Sequence, residues 1–198
     1  MARFAIIGWG SLIWDMDGLD RHVDGAWRMG AGPVLPLEFS RVSAKRLGGL
    51  AVCIDPHHGA RCPTHAIASA RGAIDAVIDD LATRERTAPE RIGVAMADDG
   101  ALRSRLPGIA EAVAGWCRIG GWEGAVWTDL DANFADEKGE PFSIPAAERH
   151  LAGLSGASHV EAVRYIEETP RATDTPLRRH LARQSWWQAA AAALPPSA

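Results

Sequence analysis

The chain has little cysteine, no strong charge bias and no long apolar run. Cys53, Cys62 and Cys117 are its three cysteines among 198 residues. So sparse and odd a set argues against a disulfide framework and fits free thiols in a reducing cytoplasm. No apolar run approaches the roughly 20 residues of a membrane-spanning helix. The apolar run near the N-terminus is too short and too rich in glycine for a secretion signal. A net charge of −4 gives no reason to expect a nucleic-acid or membrane-surface partner. No internal repeat is present. Cys53, His57, His58, Cys62 and His65 are the one metal-like cluster. Their spacing matches no common zinc signature and residues 55–60 carry turn chemistry, so no metal is expected. What is present is 47% hydrophobic and 23% charged residues, the balance of a globular chain of ordinary domain size.

The first half alternates strands and helices. Residues 3–7 are a short apolar run with β-branched and aromatic side chains, which reads as a buried strand. Residues 15–36 hold no sustained period and are punctuated by glycine and proline, so an ordered loop with one helical turn is expected. Residues 37–45 alternate. Leu37, Phe39, Arg41, Ser43 and Lys45 share one face, Glu38, Ser40, Val42 and Ala44 the other. The first face starts apolar and turns polar, like a strand leading from a core into a cavity. Leu47, Gly48 and Gly49 turn the chain, and residues 50–54 return to complete an antiparallel hairpin. Residues 64–69 form the next strand. Residues 73–86 read as a helix, because Ile74, Val77, Ile78 and Leu81 recur at helical spacing. Residues 91–97 are a strand, followed by a turn at Asp98, Asp99 and Gly100. A helix over 107–116, with Pro107 in its first turn, and a strand over 123–128 complete this part.

After residue 129 the texture changes. Residues 131–141 read as a charged loop, and 145–154 and 159–168 as helices. A third helix starts at Thr175 and Pro176, runs through Ala193 and is ended by Pro195 and Pro196. The expected organisation is a domain over 1–130 and a helical extension over 131–198 packed on it.

Three stretches carry candidate chemistry. In Gly8-Trp9-Gly10-Ser11, two glycines two apart allow a sharp turn and bring bare backbone N–H groups close to a ligand. Such a nest suits an anion or a developing oxyanion; a plain strand-to-loop turn is the alternative. Glu85 lies four residues after Leu81 and seven after Ile78, which puts its carboxylate on the apolar stripe of the helix. Burial and the nearby helix C-terminus would both raise its pKa, which suits proton transfer near neutral pH. The alternative is a frayed helix end with Glu85 paired in solvent to Arg84 or Arg86. On residues 37–45, Arg41 suits a carboxylate and Ser43 lies beside it; a solvated strand face is the alternative. Most of the eight tryptophans are expected in packing, with Trp9 and Trp127 as candidates to wall a pocket. Trp186 and Trp187 dock the last helix or form a homodimer contact.

Residues 4–14, an apolar strand running into Gly8-Trp9-Gly10-Ser11-Leu12, resemble the opening of the γ-glutamylcyclotransferase-like families, including the ChaC-type proteins. Trp9 stands where those families usually have tyrosine. Residues 37–46 resemble the family's polar second strand, and residues 81–86 the helix end that carries its catalytic glutamate. The resemblance covers residues 3–130. It implies an α+β fold: a small mixed β-barrel flanked by helices, here with a helical C-terminal extension. It implies a small γ-glutamyl substrate whose α-amino group attacks its own γ-carbonyl, releasing 5-oxoproline, with no metal or organic cofactor. Glu85 would be the proton shuttle. Gly8, Trp9, Gly10, Ser11 and Leu12 would hold substrate oxygens, with Arg41 and Ser43 as further contacts. A non-catalytic binding module on the same fold, or an enzyme removing a γ-glutamyl group in a biosynthetic pathway, are the alternatives.

Overall fold

The structure, a computed structural model, describes residues 3–98 and 100–195. Asp99 and Pro196, read above at a turn and a helix end, lie outside the described residues. In chain order the elements are β1 (Phe4–Gly8), β2 (Val23–Arg28), β3 (Val34–Ser43), β4 (Gly49–Ile54), β5 (Ala60–Pro63), β6 (His65–Ser69), α1 (Ile74–Glu85), β7 (Ile92–Met96), β8 (Leu102–Arg103), α2 (Pro107–Gly120), β9 (Gly124–Thr128), α3 (Phe134–Lys138), α4 (Ile144–Ala152), α5 (Gly156–Glu168), α6 (Pro176–Leu181) and α7 (Ser185–Ala192). The fold is mixed α+β. No closed barrel is found among the described strands, and no described helix is long and apolar enough to cross a membrane.

The chain divides into two compact units. One comprises the residues up to Leu35 and Pro63–Leu130; the other comprises Pro36–Cys62 and the residues from Asp131 onward. The hairpin of β3 and β4 thus belongs with the C-terminal helices, whereas the sequence grouped it with the first 130 residues. Packing explains the difference. α5 lies on β4, Tyr165 meets Phe39 edge-on at 6.1 Å, and a Cβ on Gly49 would meet Ala162 Cβ at 3.1 Å.

The first unit is built on a six-stranded sheet in the order β2-β6-β1-β9-β7-β8. β1 runs antiparallel to β6 and parallel to β9, and β7 is antiparallel to β9. β1 is apolar throughout because both of its faces are covered. Phe4 and Ile6 join Ile67 and Val126 against Val77, Ile78 and Leu81 of α1. Ala5 and Ile7, pointing the other way, are buried as well, and α2 packs on β7, β8 and β9. Trp127 is core: it is fully buried, and its indole lies on Gly93, its cross-strand partner. A Cβ on Gly93 would sit 2.1 Å from Trp127 Cε2. Gly93→Ala is therefore expected to cost about 2–3 kcal/mol, the usual scale of overpacking, read as a lower urea midpoint with unchanged slope.

β2 forms where the sequence shows no period. Gly25 there has φ +78°, and the pairing with β6 shifts register between Asp24 and Arg28. An irregularity of this kind breaks the alternation on which a strand is recognised. β8 has two residues and β5 four, too short to show a period.

In the second unit a three-stranded sheet, β4-β3-β5, carries α3 to α7. β3 pairs Leu37 with Ile54 and Glu38 with Cys53, but Arg41 with Ala51. One extra residue on β3 slips the alternation. Leu37, Glu38, Phe39 and Ser40 are all buried, so both faces of this part of the strand are covered, and the strand ends at Ser43 before a 3-10 turn over Ala44–Arg46. The expected alternation through Lys45 does not hold. α3 forms within the expected loop, anchored by buried Phe134. The expected last helix is two helices, broken at residues 182–184. The break lets Trp187 bury and donate to Glu167 Oε1 at 2.6 Å, while Trp186 donates to Glu148 Oε1 at 3.0 Å.

Candidate functional site

The site in the first unit forms where β1 ends beside the C-terminus of α1. Phe4 to Gly10 are buried without interruption, so the chain enters the loop fixed by the sheet. A 3-10 turn over Ser11–Ile13 follows, closed by Ile13 N–H to Gly10 O at 3.0 Å. Ser11 and Leu12 open that turn, and the first N–H groups of a helical turn have no partner within it. Gly10 has φ −126°, outside the left-handed region. At Gly8 packing is close: a Cβ would lie 2.9 Å from the Trp27 ring and 3.1 Å from Ile13 Cδ1. Ile13 can shift and the ring is partly exposed, so Gly8→Ala should cost about 1 kcal/mol, at the low end of overpacking, seen in thermal melts. Trp9 is buried at 5% exposure.

α1 ends sharply. Arg86 adopts φ +54°, and its N–H reaches back to the carbonyls of Ala82 and Thr83. Thr87 N–H also returns to Ala82 O, at 3.0 Å. These are C-capping bonds with an arginine in the position usually taken by glycine. Glu85 is thereby the last helical residue, and it does not fray. Its side chain is 15% exposed. The Arg84 guanidinium holds one of its oxygens, with Nη1 donating to Glu85 Oε1 at 2.6 Å.

Arg84, expected from the sequence only as a solvent partner of Glu85, is a buried member of the site. Its side chain is 2% exposed, and it joins three parts of the site. Besides Glu85, Nη2 donates to Ser11 Oγ at 3.3 Å. Nε donates to Asp15 O at 3.2 Å and Nη2 to the same carbonyl. A buried guanidinium needs such partners, because an unsatisfied charge is costly away from water. The signal was present. Arg84 lies three residues after Leu81 and seven after Val77, the same stripe logic that picks out Glu85.

The loop after the turn is also held. Asp17 has φ +45°, and its carboxylate accepts from Arg86 Nη2 at 3.1 Å. Asp17 and Arg86 are two of the three non-glycine residues with positive φ among the described residues, and they bracket Asp15, Arg84 and Glu85. Each such residue costs on the order of 1–3 kcal/mol, and strain of this kind clusters at functional sites. His65 stands directly across from Gly8 on β6. Its Nδ1 accepts Gly30 N–H at 2.7 Å, and burial pushes its pKa down, so the ring stays neutral.

Arg41 and Ser43 lie in the second unit. Arg41 Nη1 donates to Asp131 O at 2.6 Å and to Asp131 Oδ1 at 3.4 Å, so part of its fork is engaged within its own unit. Ser43 is half-buried at the end of β3, and its carbonyl accepts from Gly48 N–H. His57 and His58 of the metal-like cluster meet a carboxylate. Asp55 Oδ1 accepts from the backbone N–H groups of His57 and His58, and Oδ2 lies 3.1 Å from His58 Nδ1. Burial pushes the Asp55 carboxyl up, but hydrogen bonds from Ser40, His58 and His57 outweigh it and hold the pKa below the ordinary value. Among the described residues no group of three or more His, Cys, Asp or Glu is placed to hold a metal.

Searched against protein-family models, curated proteins and solved structures, the chain matches none.

Proposed function

We propose that this chain is a γ-glutamylcyclotransferase-like enzyme that releases 5-oxoproline from a small γ-glutamyl amine or peptide. The observation that carries the reading is the triad on one buried guanidinium: Arg84 binds Glu85 Oε1 on one side and Ser11 Oγ on the other. It joins the helix-end glutamate to the Gly8–Leu12 loop, the two stretches on which the family resemblance rests. The reading takes the six-stranded sheet, with parallel β1 and β9 inside it, as the wall of a small mixed barrel of that family's type.

In the proposed reaction the substrate's α-ammonium first loses a proton to Glu85. The freed amine attacks the γ-carbonyl carbon, a C–N bond forms, and the carbonyl oxygen takes up negative charge near the backbone N–H groups of Ser11 and Leu12. Preorganised donors at such a position lower the barrier because they need no rearrangement. The old amide C–N bond then breaks as Glu85 returns a proton to the leaving nitrogen, and the ring nitrogen passes its surplus proton to the freed carboxylate to leave the neutral lactam. Oε2 is the oxygen for this work, since Oε1 is held by Arg84. Arg84 acts as a positioning residue: it fixes the carboxylate relative to the loop. No cofactor takes part in this scheme. A cytoplasmic setting suits the three free, buried thiols.

Binding without turnover is a second reading, and one observation favours it. The 2.6 Å contact to Arg84 occupies the carboxylate that would have to exchange protons. Incubation with a panel of γ-glutamyl amines and dipeptides, followed by detection of 5-oxoproline, separates the two. Lactam formation from one member supports catalysis. Saturable binding of a member without lactam supports the module, and a panel that yields no lactam and no saturable binding removes the γ-glutamyl reading.

A further inference from the structure

In the second unit a shallow, open pocket of about 270 Å³ is lined by Arg171, Asp174, Arg178, Arg179 and Ala182. Three guanidinium groups line it with the Asp174 carboxylate, and the Glu167 carboxylate also acts on Arg178, so positive charge is still in excess at one place on a chain whose net charge is −4. The arginines are not equivalent. Arg178 is spent on the fold: Nη1 donates to Pro170 O at 2.8 Å and Thr173 O at 3.3 Å, and Nη2 donates to Glu167 O at 3.3 Å. It ties the end of α5 to the loop before α6. Arg179 is oriented by one of its nitrogens, Nη1, which donates to Asp174 O at 2.8 Å and to Asp174 Oδ2 at 3.1 Å. Its Nε and Nη2 have no partner among the described residues. Arg171 is exposed and has no hydrogen-bond or ion-pair partner among the described residues.

We propose that this pocket is a binding site for a phosphoryl group, carried by a small phosphate monoester or as inorganic phosphate, with Arg171 and Arg179 as its ligands and Arg178 as the fixed floor. The number of open forks decides the class. A phosphate monoester carries about −1.5 to −2 charge at neutral pH and three acceptor oxygens, enough to engage both Arg171 and Arg179, whereas the two oxygens of a single carboxylate are taken up by one guanidinium fork. Guanidinium forks also fit phosphate oxygens in pairs. The size decides the scale: ligand pockets usually run from about 300 Å³ upward, so this one suits a phosphoryl group with a small substituent. A nucleic-acid backbone would need a longer basic stripe. The site lies in a different unit from Glu85 and does not depend on the reaction proposed above.

The test is calorimetric titration of the full chain with inorganic phosphate and with phenyl phosphate, at constant ionic strength, with acetate as the comparison anion. Saturable binding of either phosphate, much stronger than acetate, is expected. Arg171→Ala and Arg179→Ala, both at exposed positions, should each weaken it about tenfold, the usual scale of a lost charge-assisted contact, with melting curves of the ligand-free variants unchanged. Preference for phenyl phosphate over inorganic phosphate identifies a monoester ligand, and the reverse identifies free phosphate. Absence of saturable binding, equal binding of acetate, or parental affinity in either variant overturns the proposal. Formation of 5-oxoproline is scored separately, so either proposal can fail alone.

Discussion

Glu85→Gln should lower turnover of a competent γ-glutamyl substrate by at least about a hundredfold, the usual scale of general acid–base catalysis. Glutamine keeps the size and one oxygen acceptor, so Arg84 Nη1 can still find its partner 2.6 Å away. What is lost is the group that takes and returns protons. Binding should survive, because the Gly8–Leu12 loop is held by β1 and by Arg84 contacts to Ser11 and Asp15. The structure changes the expectation for stability. An unpaired carboxylate on the apolar stripe would make its removal stabilising. Here the charge has a buried partner, and neutralising it leaves Arg84 with one carboxylate fewer, so a modest loss of stability is expected. Turnover, ligand affinity and melting temperature on this one variant are the measurements; turnover equal to the parent would remove Glu85 from the chemistry.

The largest expected effect on stability lies in the second unit, at Glu38. This carboxylate is fully buried on β3. Oε1 accepts Phe39 N–H at 2.7 Å, and Oε2 accepts Leu177 N–H at 3.1 Å in the first turn of α6. Glu38→Ala leaves two buried N–H groups without an acceptor, at about 1–3 kcal/mol each, so a loss of about 3–5 kcal/mol is expected. Burial raises the Glu38 pKa, against the hydrogen bonds from Thr175, Phe39 and Leu177 that lower it. A raised carboxyl pKa means that the folded state holds the proton more tightly than the unfolded chain. The stability tied to that proton is present below the unfolded value and is lost as pH rises through the folded one. The gap between parent and Glu38→Ala should accordingly shrink from pH 4 toward pH 8. Urea midpoints across that range check it, and a gap that widens with pH would contradict the assignment.

The strongest periodic signals were legible without the fold. Val77, Ile78 and Leu81 placed α1 within one residue of its observed ends, and Pro107 marked the start of α2. Glu85 could be singled out because helical spacing carries one face of a sequence directly into space. The same stripe holds Arg84, but a rule that looks for an acid passes over the cation beside it. Strands were legible where alternation or an unbroken apolar run survived, as in β1, β4 and β9. They were not legible where a bulge or a glycine with positive φ broke the period, as in β2.

Local sequence determined the elements, the sharp loop after β1, the acid at the helix end and the absence of a long apolar run, because each depends on neighbours within a few residues. Tertiary structure alone decided the rest. It decided that the hairpin packs with the C-terminal helices, that Glu38 is buried where it meets Leu177 N–H, and that Arg84 joins Ser11 to Glu85. These contacts link residues 139 and 73 positions apart in the chain for Glu38–Leu177 and Arg84–Ser11. Pairings so distant leave no periodic trace, since what selects them is the unmet valence of a buried charge or N–H group once the chain has folded.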